Sequence, residues 1–497
     1  MQVLPAAADF ERAYAAGRPQ VVWTRLVADL ETPVSAMLKL ANGRPNSFLL
    51  ESVEGGAIRG RYSFIGFAPD LVWRCFGDKA EVNRDALNPK SRFAPCPGGA
   101  VKALRAIERE SRIDLPEGLP PMAAGLVGYM AYDFVRMVER LPDNNPDPLK
   151  VPDGVFLRPT VMAVFDRLED SISVITPVRP APGVDARTAL AAATERLAAV
   201  ERDLAKSLPH RSTVDAAPHA IEPASNMTRE QFHGVVRKAV DYIKAGDAFQ
   251  IVPSQRFKFP FALPPIALYR ALRRLNPSPF LFILDFGDFS VVGSSPEILV
   301  RVRDGKVTIR PLAGTRKRGA TPDEDKALEK DLLADPKELA EHLMLLDLGR
   351  NDVGRVAKVG TVKVTEQFIV ERYSHVMHIA SNVEGDLDPA FDAIDALLAG
   401  FPAGTVSGAP KVRAMEIIDE LEPERRGVYA GCIGYFGADG EMDTCIALRT
   451  AVIKDQTMYV QSGVGVVADS DPETEYQESC NKARALIRAA EEAKTFA

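Results

Sequence analysis

Apolar positions along the chain follow two rhythms. In FLFILDFGDFSVVGSSPEILVRVRDGKVTI, VTIRPLAGTRKRG and GVYAGCIGYFGADGEMDTCIALRTAVIKDQTMYVQSG they recur in short strand-like runs, cut by ADG, KDQ and RDGK. That punctuation predicts strings of β-hairpins and therefore antiparallel sheet. Elsewhere the period is helical: in the Ala/Leu/Glu/Arg-rich segment 186–205, after DPKE at 335–338 as far as Gly349, and after Asp471. Strands in neighbouring runs, not strictly alternating with helices, predict an α+β fold with large antiparallel sheets packed against helices rather than a doubly wound α/β fold.

SLPHRSTVDAAPHAIEPASNM breaks both rhythms and reads as a linker over 207–227, separating an N-terminal part, 1–206, from a C-terminal part, 228–497. A chain of 497 residues with 46% apolar and 26% charged positions can bury large cores. A net charge of -7 without a long Lys/Arg run argues against nucleic acid. No window approaches a spanning helix and the first residues lack a secretory pattern, so a cytoplasmic protein is expected. Five scattered cysteines without a C-x-x-C pair read as reduced thiols.

Ionisable groups inside EHLMLLDLGRND are harder to place. Asp335 as cap and Pro336 at the first helical position start a helix on which Glu341 shares its face with Met344, Leu345 and Leu348. A carboxylate on an apolar stripe needs a cation: an Arg from elsewhere in the fold, or a metal. A second acidic helix start follows Asp471 and Pro472, with Glu475 and Glu478 on one face. Glu478 has two readings: an ordinary i, i+4 pair with Lys482, or, if the two helix starts meet, an oxygen site with Glu341 that suits Mg²⁺.

The Gly463-Val464-Gly465 loop can present N–H groups to an anion or simply turn. Neither it nor GTVSGAPK at 404–411 meets a nucleotide-binding pattern. Arg449, in alternation with Cys445, Ala447, Ala451 and Ile453, projects from a strand onto an apolar face and requires an acid, either a structural one or a substrate carboxylate. His378 shares a strand face with Val376 and Ala380. Thr405, Ser407 and Lys411 surround a helix start near Pro410, a place for an anion or a cap.

DAFQIVPSQRF, PLAGTR, EHLMLLDLGRNDVGRV, SHVMHI, FPAGTVSGAPKVRAMEII, YAGCIGYF, CIALRT, SGVGVVADSDPE and YQESCNKA, in this order, resemble the chorismate-utilising enzyme family in its anthranilate synthase component I branch. The resemblance covers 228–497 and continues more loosely through LLESVEGG and RYSFIGFAP. It implies two interleaved subdomains, and a reaction in which ammonia adds at C2 of chorismate as the C4 hydroxyl leaves, followed by loss of pyruvate. It implies Mg²⁺ on Glu341 and Glu478, with Glu475 close by. Chorismate would contact Gly314, Thr315, Tyr429, Arg449, Gly463, Val464 and Gly465, with His378 in acid/base steps and Thr405 in the active site.

Relatives that add water have a lysine base where this chain has Gln250, and aminodeoxychorismate synthases usually carry a lysine nucleophile where it has Ala313. The resemblance therefore favours ammonia as nucleophile and anthranilate as product over aminodeoxychorismate. A non-catalytic tryptophan-sensing subunit is the reading from a different class, disfavoured because the metal carboxylates and Arg449 are all present. No thiol sits in a glutaminase-like setting, so a glutamine amidotransferase subunit is the expected partner, in a hetero-oligomer. Ser52, Pro279, Phe280 and Leu281 fall at the branch's tryptophan feedback site, with Phe and Leu where relatives more often have Tyr and Met.

Overall fold

The computed structural model describes residues 2–41, 43–54, 58–208, 221–373 and 376–496. Within them 21 strands join one hydrogen-bonded network. Its spine is the Ile58–Phe76 strand, which pairs antiparallel with Gly154–Asp166 over most of its length. A register shift between Pro69 and Leu71, beside Ala68 at φ 51°, bends this pair in the middle. A bulge is where a strand tolerates proline, which has no N–H for the ladder.

Two branches leave the bend. One runs from Ile58–Phe76 through Ser47–Glu54, Phe280–Asp285, Phe289–Ser295, Thr450–Lys454 and Thr457–Gly463 to Ser254–Pro260. The other runs from Gly154–Asp166 through Gly125–Met130, Cys432–Gly437, Met442–Ile446, Ile298–Arg303 and Lys306–Ile309 to Val376–Asp386. Each branch mixes strands from before residue 207 and after residue 227, so neither half closes a sheet of its own. Phe48, Val127, Tyr129, Phe282, Ile433 and Cys445 share one apolar cluster fed by both branches. Two further clusters bury helices against the other strand faces, one including Leu197, Leu272 and Leu486, the other Leu104, Leu346 and Met415.

The hairpins expected at RDGK, ADG and KDQ form, and a further one joins Phe280–Asp285 to Phe289–Ser295. VTIRPLAGTRKRG does not fold back on itself: Lys306–Ile309 and Leu312–Lys317 lie one after the other along Val376–Asp386, because Pro311 interrupts the ladder between them. The helix expected to stop at Gly349 runs on, as Pro336–Gly354, with Gly349 packed inside it against Ile309. Of the expected linker, residues 209–220 lie outside the described residues, and Ala224–Ser225 adds a short strand to Ser254–Pro260. Among the described residues no helix is long and apolar enough to cross a membrane.

One buried guanidinium ties together three segments that border the candidate site. Arg426 donates to both oxygens of Glu422, at 3.0 and 2.6 Å, to the Val406 carbonyl at 2.7 Å and to the Val252 carbonyl at 2.6 Å. It lies 4.6 Å from the ring centre of Tyr132 and 5.6 Å from that of Tyr429. Glu422 in turn accepts from the N–H and hydroxyl of Ser254. Replacing one partner of such a pair strands the other charge without water. Arg426→Ala is expected to lower the unfolding free energy by about 3–5 kcal/mol in urea titration, the range for breaking a buried ion pair; a loss near zero would show that the segments hold without it.

Candidate active site

Two helices begin beside each other's acidic residues. Asp335 caps Pro336–Gly354 by accepting from the N–H of Lys337 at 3.0 Å, and Asp471 caps Pro472–Glu492 by accepting from the N–H of Thr474 at 2.9 Å. The expected partner of Glu341 is an amide rather than an arginine: Gln250 Nε2 donates to Glu341 Oε1 at 3.0 Å, while Gln250 Oε1 is buried without a partner among the described residues. Burial pushes the Glu341 carboxyl above its usual range; the Gln250 bond and the Lys482 charge oppose this, and the charges of Glu338 and Glu478 add to it. Burial also raises Glu475, which feels Glu478.

Glu478 forms the i, i+4 pair, with Lys482 Nζ 2.7 Å from its Oε1, and the same ammonium donates to the Gly463 carbonyl at 3.1 Å. The two helix starts therefore meet electrostatically, although no group of three or more His, Cys, Asp or Glu side chains among the described residues is arranged to hold a metal. Glu341 and Glu478, which feel each other's charge, would give a divalent cation two carboxylates, leaving the remaining positions to water or a ligand. That donor set fits Mg²⁺, which keeps several waters and takes one or two protein carboxylates.

The glycine loop approaches this corner closely. A Cβ on Gly463 would lie 2.7 Å from Tyr429 Oη, and one on Gly465 would lie 2.7 Å from Gln250 Nε2. Val464 N–H is not offered to an anion, since it donates to the Pro253 carbonyl at 3.1 Å and its side chain is buried. Arg449 is not in mid-strand: Met442–Ile446 ends before it, Thr450–Lys454 starts after it, and it sits between them at φ 48°. That break lifts the guanidinium off the ladder. It has no ion pair among the described residues, while burial pushes it down and Tyr429 and Glu478 push it up. Burial raises Tyr429 to about 12.

His378 faces the same region from Val376–Asp386. Its Nδ1 is 2.9 Å from the Gly314 carbonyl and 3.1 Å from Thr315 Oγ1. A carbonyl only accepts, so Nδ1 carries the hydrogen and Nε2 keeps its lone pair. Burial, then the Arg449 charge, lowers its pKa against the Gly314 bond, so the imidazole is neutral at pH 7. Gly314 is at φ 63°, where glycine carries no Cβ penalty, and a Cβ there would meet Glu338 Oε2 at 3.1 Å. Lys411 does not face an anion site: it pairs with Asp352 at 2.8 Å, and Ser407 donates to the Ala403 carbonyl.

Residues 61–488 match the profile of the chorismate binding enzymes. The chain belongs to the chorismate binding enzyme family. It is 62% identical over 488 residues to anthranilate synthase component 1 of Cereibacter sphaeroides, covering 98% of each chain, and 50% identical over 468 residues to that of Pseudomonas putida, covering 93% of each. The crystal structure of anthranilate synthase component I from Streptococcus pneumoniae TIGR4 superposes with a TM-score of 0.76 at 37% identity, over 86% of this chain and 92% of that one. MenF, the menaquinone-specific isochorismate synthase of Escherichia coli, shares the fold at 20% identity and a TM-score of 0.71, over 98% of each chain.

In this chorismate binding enzyme one carboxyl group escapes the sequence reading. Glu297 ends the SSPE run just before the Ile298–Arg303 strand and is almost wholly buried. It accepts from Thr405 Oγ1 at 2.8 Å and from Leu312 N–H at 3.3 Å. Burial drives its pKa up to about 8 against those two bonds, so it is a neutral acid at pH 7. Nothing in SSPE marks it, because the burial comes from strands distant in sequence. Thr405 is thus tied to Glu297. Ser52, Pro279, Phe280 and Leu281 line a separate cleft of about 1250 Å³ between the branches, which Glu371 and Tyr373 also line. Tyr373 donates to Glu371 at 2.7 Å and sets its ring against His378, with centres 5.6 Å apart.

Removing the Thr405 hydroxyl takes away a bond that favours the charged form of Glu297. In Thr405→Val the Glu297 carboxyl is expected to titrate at higher pH than in wild type, followed by the carboxyl infrared band. A midpoint that falls or stays in place would contradict the assigned bond.

Proposed function

We propose that this chain is the aminase subunit of an anthranilate synthase, converting chorismate and ammonia to anthranilate, pyruvate and water in the first committed step of tryptophan formation. The observation that carries the proposal is Gln250. At the place where water-adding relatives resemble one another in having a lysine base, this chain puts an amide bonded to Glu341. An amide cannot deprotonate water, but ammonia needs no deprotonation to attack. Ala313, in turn, gives no amine for the covalent route of aminodeoxychorismate synthases. The names of the near relatives support the same reading.

Roles follow from protonation states. Glu297, neutral at pH 7, is suited to protonate the departing C4 hydroxyl. His378, with Nε2 free, is suited to take the ring proton in the elimination that releases pyruvate and makes the ring aromatic. Arg449, unpaired among the described residues, and the Tyr429 hydroxyl are suited to a substrate carboxylate. Glu341 and Glu478 would hold Mg²⁺. Bound there, the ion supplies Lewis-acid stabilisation and a fixed point for the ring carboxylate.

Ammonia is scarce at neutral pH, so the proposal includes a glutamine amidotransferase subunit as partner and a cytoplasmic setting. It also assigns residues 1–206 a regulatory role and 228–497 the catalytic one. The cleft is suited to tryptophan: Phe280 and Leu281 supply an apolar wall, and both basic and acidic side chains line it, as a zwitterion requires.

Purified chain with chorismate, ammonium and Mg²⁺ is expected to release a fluorescent aromatic amine without any added lyase, and tryptophan to slow it. Glu341→Gln is expected to stay folded and lose at least about 10²-fold in rate, the scale of losing a positioned charge stabiliser. Accumulation of non-aromatic aminodeoxychorismate would favour the runner-up instead. Absence of any turnover would favour a non-catalytic sensor.

A further inference from the structure

The carboxylates at the two helix starts are short of cations. Glu338 is served by Arg316, at 3.0 Å, and Lys337 pairs with Asp469 at 3.3 Å. Glu341 and Glu475 have no ion pair among the described residues, and Glu478 has Lys482. Three carboxylates thus share one ammonium.

Lys482 is not placed as an ordinary helix-surface lysine. Its side chain is only 34% exposed, and besides Glu478 on its own helix it reaches the Gly463 carbonyl at the end of the neighbouring strand. Its charge is felt by Glu341 on the other helix and by Glu475. It therefore stands where the positive charge of a metal would be most useful, bonded to one of the two carboxylates that would hold that metal.

We propose that Lys482 is a built-in counter-ion, which neutralises the carboxylate cluster in the metal-free protein and must leave Glu478 for a divalent cation to bind. The ammonium and the metal compete for the same carboxylate oxygen. Metal entry is an exchange of cations rather than the filling of a vacant site, and Gly463 keeps the displaced ammonium beside the site. The cluster holds more carboxylates than bonded ammonium groups, an imbalance that a divalent ion reduces. The proposal rests on the metal assignment made above for Glu341 and Glu478.

Calorimetric titration of Mg²⁺ into the full chain, in metal-free buffer of low ionic strength, separates the two. Wild type is expected to bind one ion and Glu341→Gln none. Lys482→Gln, freed of the competitor, is expected to bind Mg²⁺ roughly three- to tenfold more tightly than wild type, the scale of removing a partly exposed ion pair. Lys482→Arg should bind within about twofold of wild type, since it keeps the competing charge. Equal or weaker binding by Lys482→Gln, with Glu341→Gln still inactive in binding, would overturn the exchange and leave the metal assignment standing. No binding by wild type would overturn both. If Lys482→Gln does not fold, the exchange is read in wild type after reductive ¹³C-methylation: the Lys482 methyl resonance, identified by its loss in Lys482→Arg, is expected to shift with Mg²⁺, and a resonance that stays still would overturn the proposal.

Discussion

Carboxylates on two helix starts, brought together with too few cations, are the constraint around which the site is arranged. Such a cluster is costly to bury unless something neutralises it. Lys482 does so in part through Glu478, Gln250 satisfies one oxygen of Glu341, and burial keeps the Glu341 and Glu475 carboxyls harder to ionise than usual. In the proposal made above, a divalent ion would remove this conflict.

The branched sheet is what brings these groups together. Gln250, the Ser254–Pro260 strand and the Thr457–Gly463 strand place the glycine loop beside the Pro472–Glu492 helix. The Val376–Asp386 strand sets His378 at Gly314 and Thr315 through its pairing with Leu312–Lys317. Arg426 then locks Val252, Val406 and Glu422 around Tyr429, so the segments carrying Gln250 and Thr405 are held from behind by a single guanidinium. Rigidity of this kind matters because a misplacement of about 1 Å can cost on the order of 10²-fold in rate.

Much of this could be read from the chain. Local rules found both helix starts, since Asp-Pro caps announce themselves over three residues, and the hairpins, since their turns do. They also identified the Glu478–Lys482 pair, which follows from helical spacing alone. What escaped depends on neighbours remote in sequence. Glu297 looks like any acidic residue at a turn until Thr405 and Leu312 close over it. Arg449 reads as a strand residue because alternation continues across it, whereas a positive φ between two strands turns it out. Gln250 as partner of Glu341 joins residues 91 positions apart. The run of Lys306–Ile309 and Leu312–Lys317 along one strand was hidden because Pro311 resembles a hairpin turn more than a gap in a ladder.

The central claim is that Glu341 and Glu478, from different helices, grip one divalent ion. Soaking crystals of the full chain with Mn²⁺ and collecting diffraction at the manganese absorption edge tests it most directly. The account predicts a single strong anomalous peak at about 2.1–2.3 Å from an oxygen of each carboxylate, the contact range of small hard cations, with Lys482 Nζ withdrawn from Glu478. A peak elsewhere, or none between the two side chains while the Lys482–Glu478 pair stays closed, would contradict it.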